Sequence, residues 1–535
     1  MAFKGNLHPY QEEAVDRLVN RRSLLLAYGC GTGKTVMAIA AAERLLESGE
    51  VNQVLVLCPA SLKYQWQDKI RQFTDSKTMV IDGPKVARQA QYSKRAHPDY
   101  IICSYDSLIH DYEDMTKIIP EMVIADEASA IKSFKAMRSK RVKKLFGKTP
   151  YRLGLTATPI ENRPEELYSI MQWVDSTVLG RYDLFDKAYI RRNARGWPIA
   201  YKNLDVLRDR MGGSLARKTR HDPDVRPYLP DVDEDNWYID MDAGTLKAYK
   251  HIAKDMLSQM EENPSLYGEK TDLRFIEPGF DESTPDGKLM AMYMCMEMLL
   301  DFPDLIWWSG TEYEKDSPNG SAYAHQLMVS GVFRTGSSPK LDRLIDETQF
   351  LLDSDEDSKV IVVSKYKFML GIIEIILEQK GIKSVSFTGD LNARQKAEVV
   401  EQFNQPDTRV FLTSYAGGYG LDLYMADYLI NYDLPWSAGT KDQINSRHIR
   451  ASSGFGKVYI RNMIVNNTVE ERKLRILDRK GQLLSSVIDG TDTTTVDISG
   501  DYLRTHLEKT LNKDLTGHSR HGTIVTTEDT HGQNP

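Results

Sequence analysis

The run Gly29-Cys30-Gly31-Thr32-Gly33-Lys34-Thr35 carries the densest chemistry in this sequence. Glycines let backbone N–H groups approach phosphate oxygens, a lysine at Lys34 neutralises β and γ phosphates, and a hydroxyl at Thr35 is placed to bind Mg2+. Such loops usually begin on a further glycine five residues before the one that precedes the lysine; here that place is taken by Tyr28, so only the shorter Gly-x-Gly-Lys-Thr core is present. Far downstream, Asp126-Glu127 ends an apolar run. The first carboxylate suits the water shell of a metal ion and the second suits orienting or deprotonating an attacking water. Arg447 and Arg450 stand three apart, so on a helix they share a face and reach one γ-phosphate. Arginines supplied across a cleft to a transferring phosphoryl group are worth about 10³ to 10⁵ in rate, roughly 4 to 7 kcal/mol of barrier.

Those residues need rigid elements to hold them. Short apolar runs alternate with helical stretches from Ser23 onward, in SLLLAY, VLVLCP, YIICSY, MVIADE and RLGLTAT. A second series starts near Lys359, in KVIVVS, SVSFTG, RVFLTS, YLINYD and VYIRNMIV. Continuous apolar strands separated by helices predict parallel sheets covered on both faces, an α/β fold in two lobes. The stretch between the lobes is rich in Met, Tyr and charge and has helical spacing, and its methionine stripe reads as a buried helix face. The expected organisation is a nucleotide-binding lobe over 1–180, a mostly helical insert over 181–338, a second lobe over 339–485 and a weakly ordered tail over 486–535.

At 535 residues, several structural units are expected. The net charge is −7, with 69 Lys plus Arg against 76 Asp plus Glu, and 41% of residues are hydrophobic, an ordinary globular balance. Overall acidity does not exclude nucleic acid, because a basic stripe can coexist with acidic surroundings. Four cysteines, none in Cys-x-x-Cys spacing, point to a reduced compartment. No apolar run is long enough for a signal peptide or a membrane span. Basic clusters occur at Lys132, Lys135, Arg138, Lys140, Arg141, Lys143, Lys144 and Lys148, and at Arg191, Arg192 and Arg195. Each reads equally as a solvated helix face or as a set of phosphate contacts.

The order and wording of these motifs resemble the Swi/Snf-type ATPases of helicase superfamily two, over most of residues 7–477. LHPYQEEAVDRL looks like that family's N-terminal glutamine motif. CPASLKYQW and ICSYDSL are similar to its strand-end motifs, and LTATPIENRPEELYSIMQWV to its coupling motif. SLARKTRHDPDVRPYLP, SPKLDRLIDE, AGGYGLDL, Trp436 and Gln443-x-x-x-Arg447-x-x-Arg450 continue the series. The chain departs from the family at Tyr28 and Gly29, where acidic residues are usual, at Ala128-Ser129, at Asp422 and at Ala451-Ser452-Ser453.

The resemblance implies two RecA-like lobes, ATP with Mg2+, and a DNA track, duplex favoured and single strands as an alternative. It places Gln11 on the adenine and Gly420 and Asp422 on the nucleotide, beside Gly29, Gly31, Thr32, Gly33, Lys34 and Thr35 of the loop. It places Ser61, Ser104, Tyr105, Ser364, Gly417, Gly418 and Trp436 on nucleic acid. A DNA-stimulated ATPase moving on duplex DNA is the expected function, in replication, repair or recombination. A strand-separating helicase and a scaffold using ATP only as a switch are the alternatives. A cytoplasmic, nucleoid-associated monomer is expected, in host cytoplasm if the chain is viral, with replication or repair proteins as partners and no membrane.

Overall fold

The computed structural model describes residues 3–93, 98–193, 196, 198–264, 281–391, 393–415, 423–449, 454–489, 495–497 and 503–512. Its first sheet has seven parallel strands in the order Thr78–Val80, Tyr100–Ser104, Val54–Cys58, Met122–Asp126, Tyr151–Leu155, Ser23–Leu26, Leu215–Ala216. The central strands are buried on both faces, as their uninterrupted apolar runs require. The helix Lys34–Ser48 packs against this sheet through Met37, Ala38, Ile39, Ala41 and Leu45. Its alanines favour helix and allow close approach, and left-handed Gly49 ends it by donating its N–H to the Leu46 carbonyl.

The second sheet has six parallel strands in the order Asp231–Ile239, Lys457–Val465, Tyr428–Asn431, Val360–Val363, Val410–Thr413, Ser384–Phe387. A small antiparallel sheet joins Ile190–Arg192, Pro198–Tyr201 and Val496–Asp497. The two expected α/β lobes are therefore present.

The middle of the chain is divided differently from the single insert expected over 181–338. Leu215–Ala216 completes the first sheet and Asp231–Ile239 forms the edge of the second. The first is only two residues long, and the second is an edge strand with a largely exposed face and many charges, so neither shows an apolar run. The helical part proper is Ala243–Glu262, Pro285–Asp301, Asp304–Glu314 and Ala322–Ser330. Its methionines Met256, Met260, Met290, Met296 and Met298 are buried in one core with the second lobe.

The chain beyond the second lobe does not simply trail off. The helix Val469–Leu484 begins in the second lobe, where the Val469 N–H donates to the Tyr249 hydroxyl at 2.8 Å. It runs into a π turn, Ser485–Asp489, and Leu483, Leu484, Val487 and Ile488 lie in the core of the first lobe with Leu204, Leu207 and Met211. Val496–Asp497 then pairs with Pro198–Tyr201 of the small sheet. The helix Leu503–Leu511 returns to the second lobe, burying Leu503 and Leu507 in the core that contains Ala243–Glu262. Two leucines four apart in a polar stretch suffice to dock it, a signal too sparse to read as a helix in sequence. Residues 513–535 of the expected tail lie outside the described residues. Among the described residues no helix is long and apolar enough to cross a membrane.

Candidate functional site

The strand Ser23–Leu26 leads directly into the glycine loop, whose backbone turns at Gly31 (φ 82°) and Gly33 (φ 86°). Both values lie in the left-handed region that glycine enters without penalty. A Cβ on Gly33 would also stand 2.5 Å from Gln11 Nε2. Lys34 folds back over the loop, its Nζ donating to the carbonyls of Tyr28 at 2.8 Å and Gly29 at 3.0 Å. Thr32 is buried and its hydroxyl donates to the Gly29 carbonyl. Tyr28 is explained by its direction. Its ring is buried beside Tyr10, with burial pushing the phenol up to about 12, so it replaces glycine without intruding on the loop.

Gln11 braces the loop from behind. Its Nε2 donates to the Thr32 carbonyl at 3.0 Å, and its Oε1 accepts from the His8 N–H at 2.9 Å in a capping arrangement at the start of helix Pro9–Arg21. The Tyr10 hydroxyl donates to the same Thr32 carbonyl at 3.0 Å.

Asp126 ends the strand Met122–Asp126 with both carboxylate oxygens engaged: Oδ2 accepts from Trp66 Nε1 at 2.7 Å and Oδ1 from the Glu127 N–H at 3.0 Å. The Tyr105 hydroxyl donates to the Asp126 carbonyl at 2.8 Å. Glu127 follows with φ 50°, a left-handed conformation unusual for a non-glycine residue and a mark of a functional turn. Burial, reinforced by the neighbouring charge of Asp126 and opposed by Lys34, pushes the Glu127 carboxyl up to about 7. A carboxyl poised there accepts and releases protons at neutral pH.

The second lobe reaches this pair. Gln443, on helix Ala438–Asn445, donates from Nε2 to Glu127 Oε2 at 3.1 Å. Ser437 caps that helix and its hydroxyl donates to Glu161 Oε2 at 3.3 Å, the carboxylate that also pairs with Lys132. A Cβ on Gly439 would lie 2.7 Å from Thr158 Oγ1, so the Thr156-Ala157-Thr158 turn touches this helix directly. Arg447 is buried within the second lobe, just past the end of that helix, with Nη2 donating to the Tyr415 carbonyl. Arg450, Gly417, Gly418, Gly420 and Asp422 lie outside the described residues.

The residues expected on nucleic acid divide. Ser61 is exposed at the end of strand Val54–Cys58. Ser104 is buried at the end of its strand. Tyr105 is also interior, its hydroxyl spent on Asp126 and its ring beneath Arg138, so it braces the acid pair in place of meeting a surface partner. Ser364 is likewise buried and donates to Asp433 Oδ2 at 2.6 Å. Trp436 packs on Tyr293, ring centroids 5.2 Å apart, with Lys473 Nζ 4.8 Å above its ring. In the first basic cluster, Lys132, Arg138, Arg141 and Lys143 have internal partners, whereas Lys135, Lys140, Lys144 and Lys148 are exposed. Arg192 pairs with Asp186, Arg191 is exposed, and Arg195 lies outside the described residues.

Trp66, Gln443 and Glu161 stand in matched motifs, yet their contacts depend on chain segments brought together only by folding.

The sequence profile of the SNF2-related domain matches residues 10–276, and that of the helicase conserved C-terminal domain matches residues 339–452. YwqA of Bacillus subtilis (strain 168) is 25% identical over 507 residues, covering 92% of this chain and 50% of that protein. The "DNA repair and recombination protein RAD54-like" of Drosophila yakuba is 24% identical over 536 residues, covering 93% of this chain and 65% of that one. This chain thus spans half the length of the first relative and just under two thirds of the second. Among solved structures, the helicase domain of Pyrococcus furiosus Hef superposes with a TM-score of 0.55 at 15% identity, over 89% of this chain and 99% of that one, a likeness of fold. The first profile spans every strand of the first sheet together with the edge strand Asp231–Ile239 of the second, the second profile spans the four strands of the second sheet between Val360 and Asn431, and the chain belongs to the SNF2-related ATPases of helicase superfamily two.

Proposed function

We propose that this chain hydrolyses ATP in the cleft between its lobes and uses their closure to move along duplex DNA. The observation that carries this reading is the hydrogen bond from Gln443 to Glu127, which puts the second lobe on the acid pair of the first. Lys34 exchanges its two carbonyl partners for the β and γ phosphates, while Gln11 holds the loop and faces the base. Glu127 takes the proton of the attacking water, and Arg447 with Arg450 balances the charge that develops on the γ-phosphate.

The oxygen donors beside the loop suit a hard divalent cation. The Thr35 hydroxyl would hold Mg2+ directly and Asp126 through its water shell, since each Asp126 oxygen already accepts one hydrogen bond and keeps a lone pair for water. Mg2+ when bound neutralises phosphate charge. The exposed Lys135, Lys140, Lys144 and Lys148, with Ser61, supply sequence-independent phosphate contacts. DNA then stimulates turnover by favouring the closed arrangement. The name of the RAD54-like relative supports a role in repair or recombination, and four cysteines without disulfides fit a reduced compartment shared with DNA.

The test is steady-state ATP hydrolysis by the wild type and Lys34→Ala, alone and with duplex DNA, single-stranded DNA or RNA. Stimulation by duplex that is lost in Lys34→Ala supports the translocase. Stimulation by single strands alone replaces it with a strand-separating helicase, and absence of hydrolysis replaces it with a nucleotide switch.

A further inference from the structure

Arg217 takes part in none of these steps, yet it joins three distant parts of the molecule. It follows the edge strand Leu215–Ala216, and its side chain is 14% exposed. Nη1 donates to the carbonyls of Ala27 at 2.8 Å and Ala157 at 3.0 Å, and Nε donates to Asp489 Oδ1 at 2.6 Å. Ala27 immediately precedes the Tyr28 and Gly29 carbonyls that hold Lys34. Ala157 is the middle of the turn whose Thr158 meets Gly439 of the second lobe. One guanidinium therefore ties the root of the phosphate loop to the turn that contacts the other lobe.

Its third partner comes from 272 residues away. Asp489 ends the π turn that buries Val487 and Ile488 in the first lobe. The helix leading to that turn starts in the second lobe, where Glu470 pairs with Lys340 and Lys473 Nζ donates to the Leu434 carbonyl at 2.7 Å. Asp489 thus stands at the first-lobe end of a continuous helical strap whose other end is fixed in the second lobe. A guanidinium is a planar fork with fixed donor directions, so a carboxylate on Nε sets the orientation in which Nη1 meets the two carbonyls.

We propose that Arg217 is a positioning residue of the ATP site and that Asp489 is the latch that orients it, so that the strap passes the second lobe's position to the backbone beneath Lys34 and Thr158. This rests on the ATPase reading above. Arg217 touches neither nucleotide nor water in this role; it sets the spacing of the two backbone segments that do.

The test measures kcat and KM for ATP, with and without saturating duplex DNA, together with Tm, for the wild type, Lys34→Ala, Asp489→Ala and Asp489→Asn. Asp489→Ala is expected to lower the DNA-stimulated kcat about tenfold, equivalent to roughly 1.4 kcal/mol of barrier, with KM changed less than about twofold and Tm lowered by no more than about 4 °C. Asp489→Asn, which keeps an oxygen acceptor for Nε, recovers most of that rate. An Asp489→Ala protein with wild-type kcat overturns the latch, as does a kcat loss that tracks a large fall in Tm and is not recovered in Asp489→Asn. A wild type that shows no Lys34-dependent hydrolysis refutes the ATPase reading and the latch with it, whereas active wild type matched by Asp489→Ala refutes the latch alone.

Discussion

Replacing Lys340 with methionine probes how the helices between the sheets are bound to the second lobe. Lys340 Nζ lies 2.7 Å from Asp301 Oδ1 and 2.5 Å from Glu470 Oε1, with the Lys340 and Asp301 side chains wholly buried. One ammonium thus answers two carboxylates, one on helix Pro285–Asp301 and one on helix Val469–Leu484. Burial pushes the Asp301 carboxyl up, and the Lys340 ammonium pulls it back toward the ionised form. Methionine keeps the length and apolar character of the lysine stem, so the loss is confined to the charge. Removing one partner of a buried ion pair costs about 3 to 5 kcal/mol, a large share of the roughly 5 to 15 kcal/mol by which a typical domain is stable. At about 2 to 4 °C per kcal/mol for a unit of this size, the Tm falls by roughly 6 to 20 °C.

The same triad fixes the pH dependence. A carboxyl whose folded pKa is raised above its unfolded value of about 4 is best tolerated at low pH, and that tolerance is lost as pH rises through the unfolded value toward the folded one. Without Lys340 the Asp301 carboxyl is harder still to ionise, so the deficit of Lys340→Met against the wild type is larger at pH 8 than at pH 5. Thermal and urea unfolding at both pH values measures it. Combining Lys340→Met with Asp301→Leu and Glu470→Gln removes the stranded charges, keeps the acceptor for the Val465 N–H, and is expected to regain at least half the loss. A deficit below about 1 kcal/mol at pH 8, or equal deficits at both pH values, refutes the reasoning.

Three further outcomes follow from the cleft. Glu127→Gln is expected to reduce ATP turnover by about 10² to 10⁴ while a fluorescent ATP analogue still binds; in the wild type, turnover rises from pH 6 to pH 8 as the carboxyl near 7 ionises, and a flat profile would remove it as the base. Gly33→Ala forces a Cβ into the left-handed region and against Gln11, so analogue affinity falls at least tenfold, about 1.4 kcal/mol; trimming the obstacle with Gln11→Ala leaves the backbone penalty and does not restore affinity. Charge reversal of Lys140, Lys144 and Lys148 together is expected to flatten the salt dependence of duplex binding by about one unit of slope for each phosphate no longer neutralised, and an unchanged slope in fluorescence anisotropy titrations would clear these three lysines of any role in holding DNA.

Much of the site was legible because its residues act locally. Gly29 to Thr35 and Asp126-Glu127 each combine a strand end with the side chain that uses it, so strand and chemistry are read from one window. What escaped was tertiary. Tyr105 and Ser364 sit in strand-end motifs like Ser61, and nothing in sequence says that their hydroxyls turn inward to Asp126 and Asp433. Gln443 was visible in its motif, but its reach to Glu127 depends on closure of two sheets. The strand Asp231–Ile239 was absorbed into the insert because an exposed edge tolerates the acidic run DVDED that no central strand would. Leu503 and Leu507 were hidden because their partners, on helix Ala243–Glu262, precede them by half the chain.

The route of the backbone between the lobes constrains how the cleft works. The chain crosses from the first sheet to the second between Ala216 and Asp231, returns along the helix Val469–Leu484, and crosses again before Leu503. Two bodies joined by a single flexible link could drift apart and lose register after each cycle. Joined at several points, one of them a rigid helix embedded at both ends, they behave more like the covers of a bound book than like beads on a string. These crossings limit the ways in which the two sheets can shift against each other, and they hold Gln443 facing Glu127 without relying on a nucleotide to align the two halves.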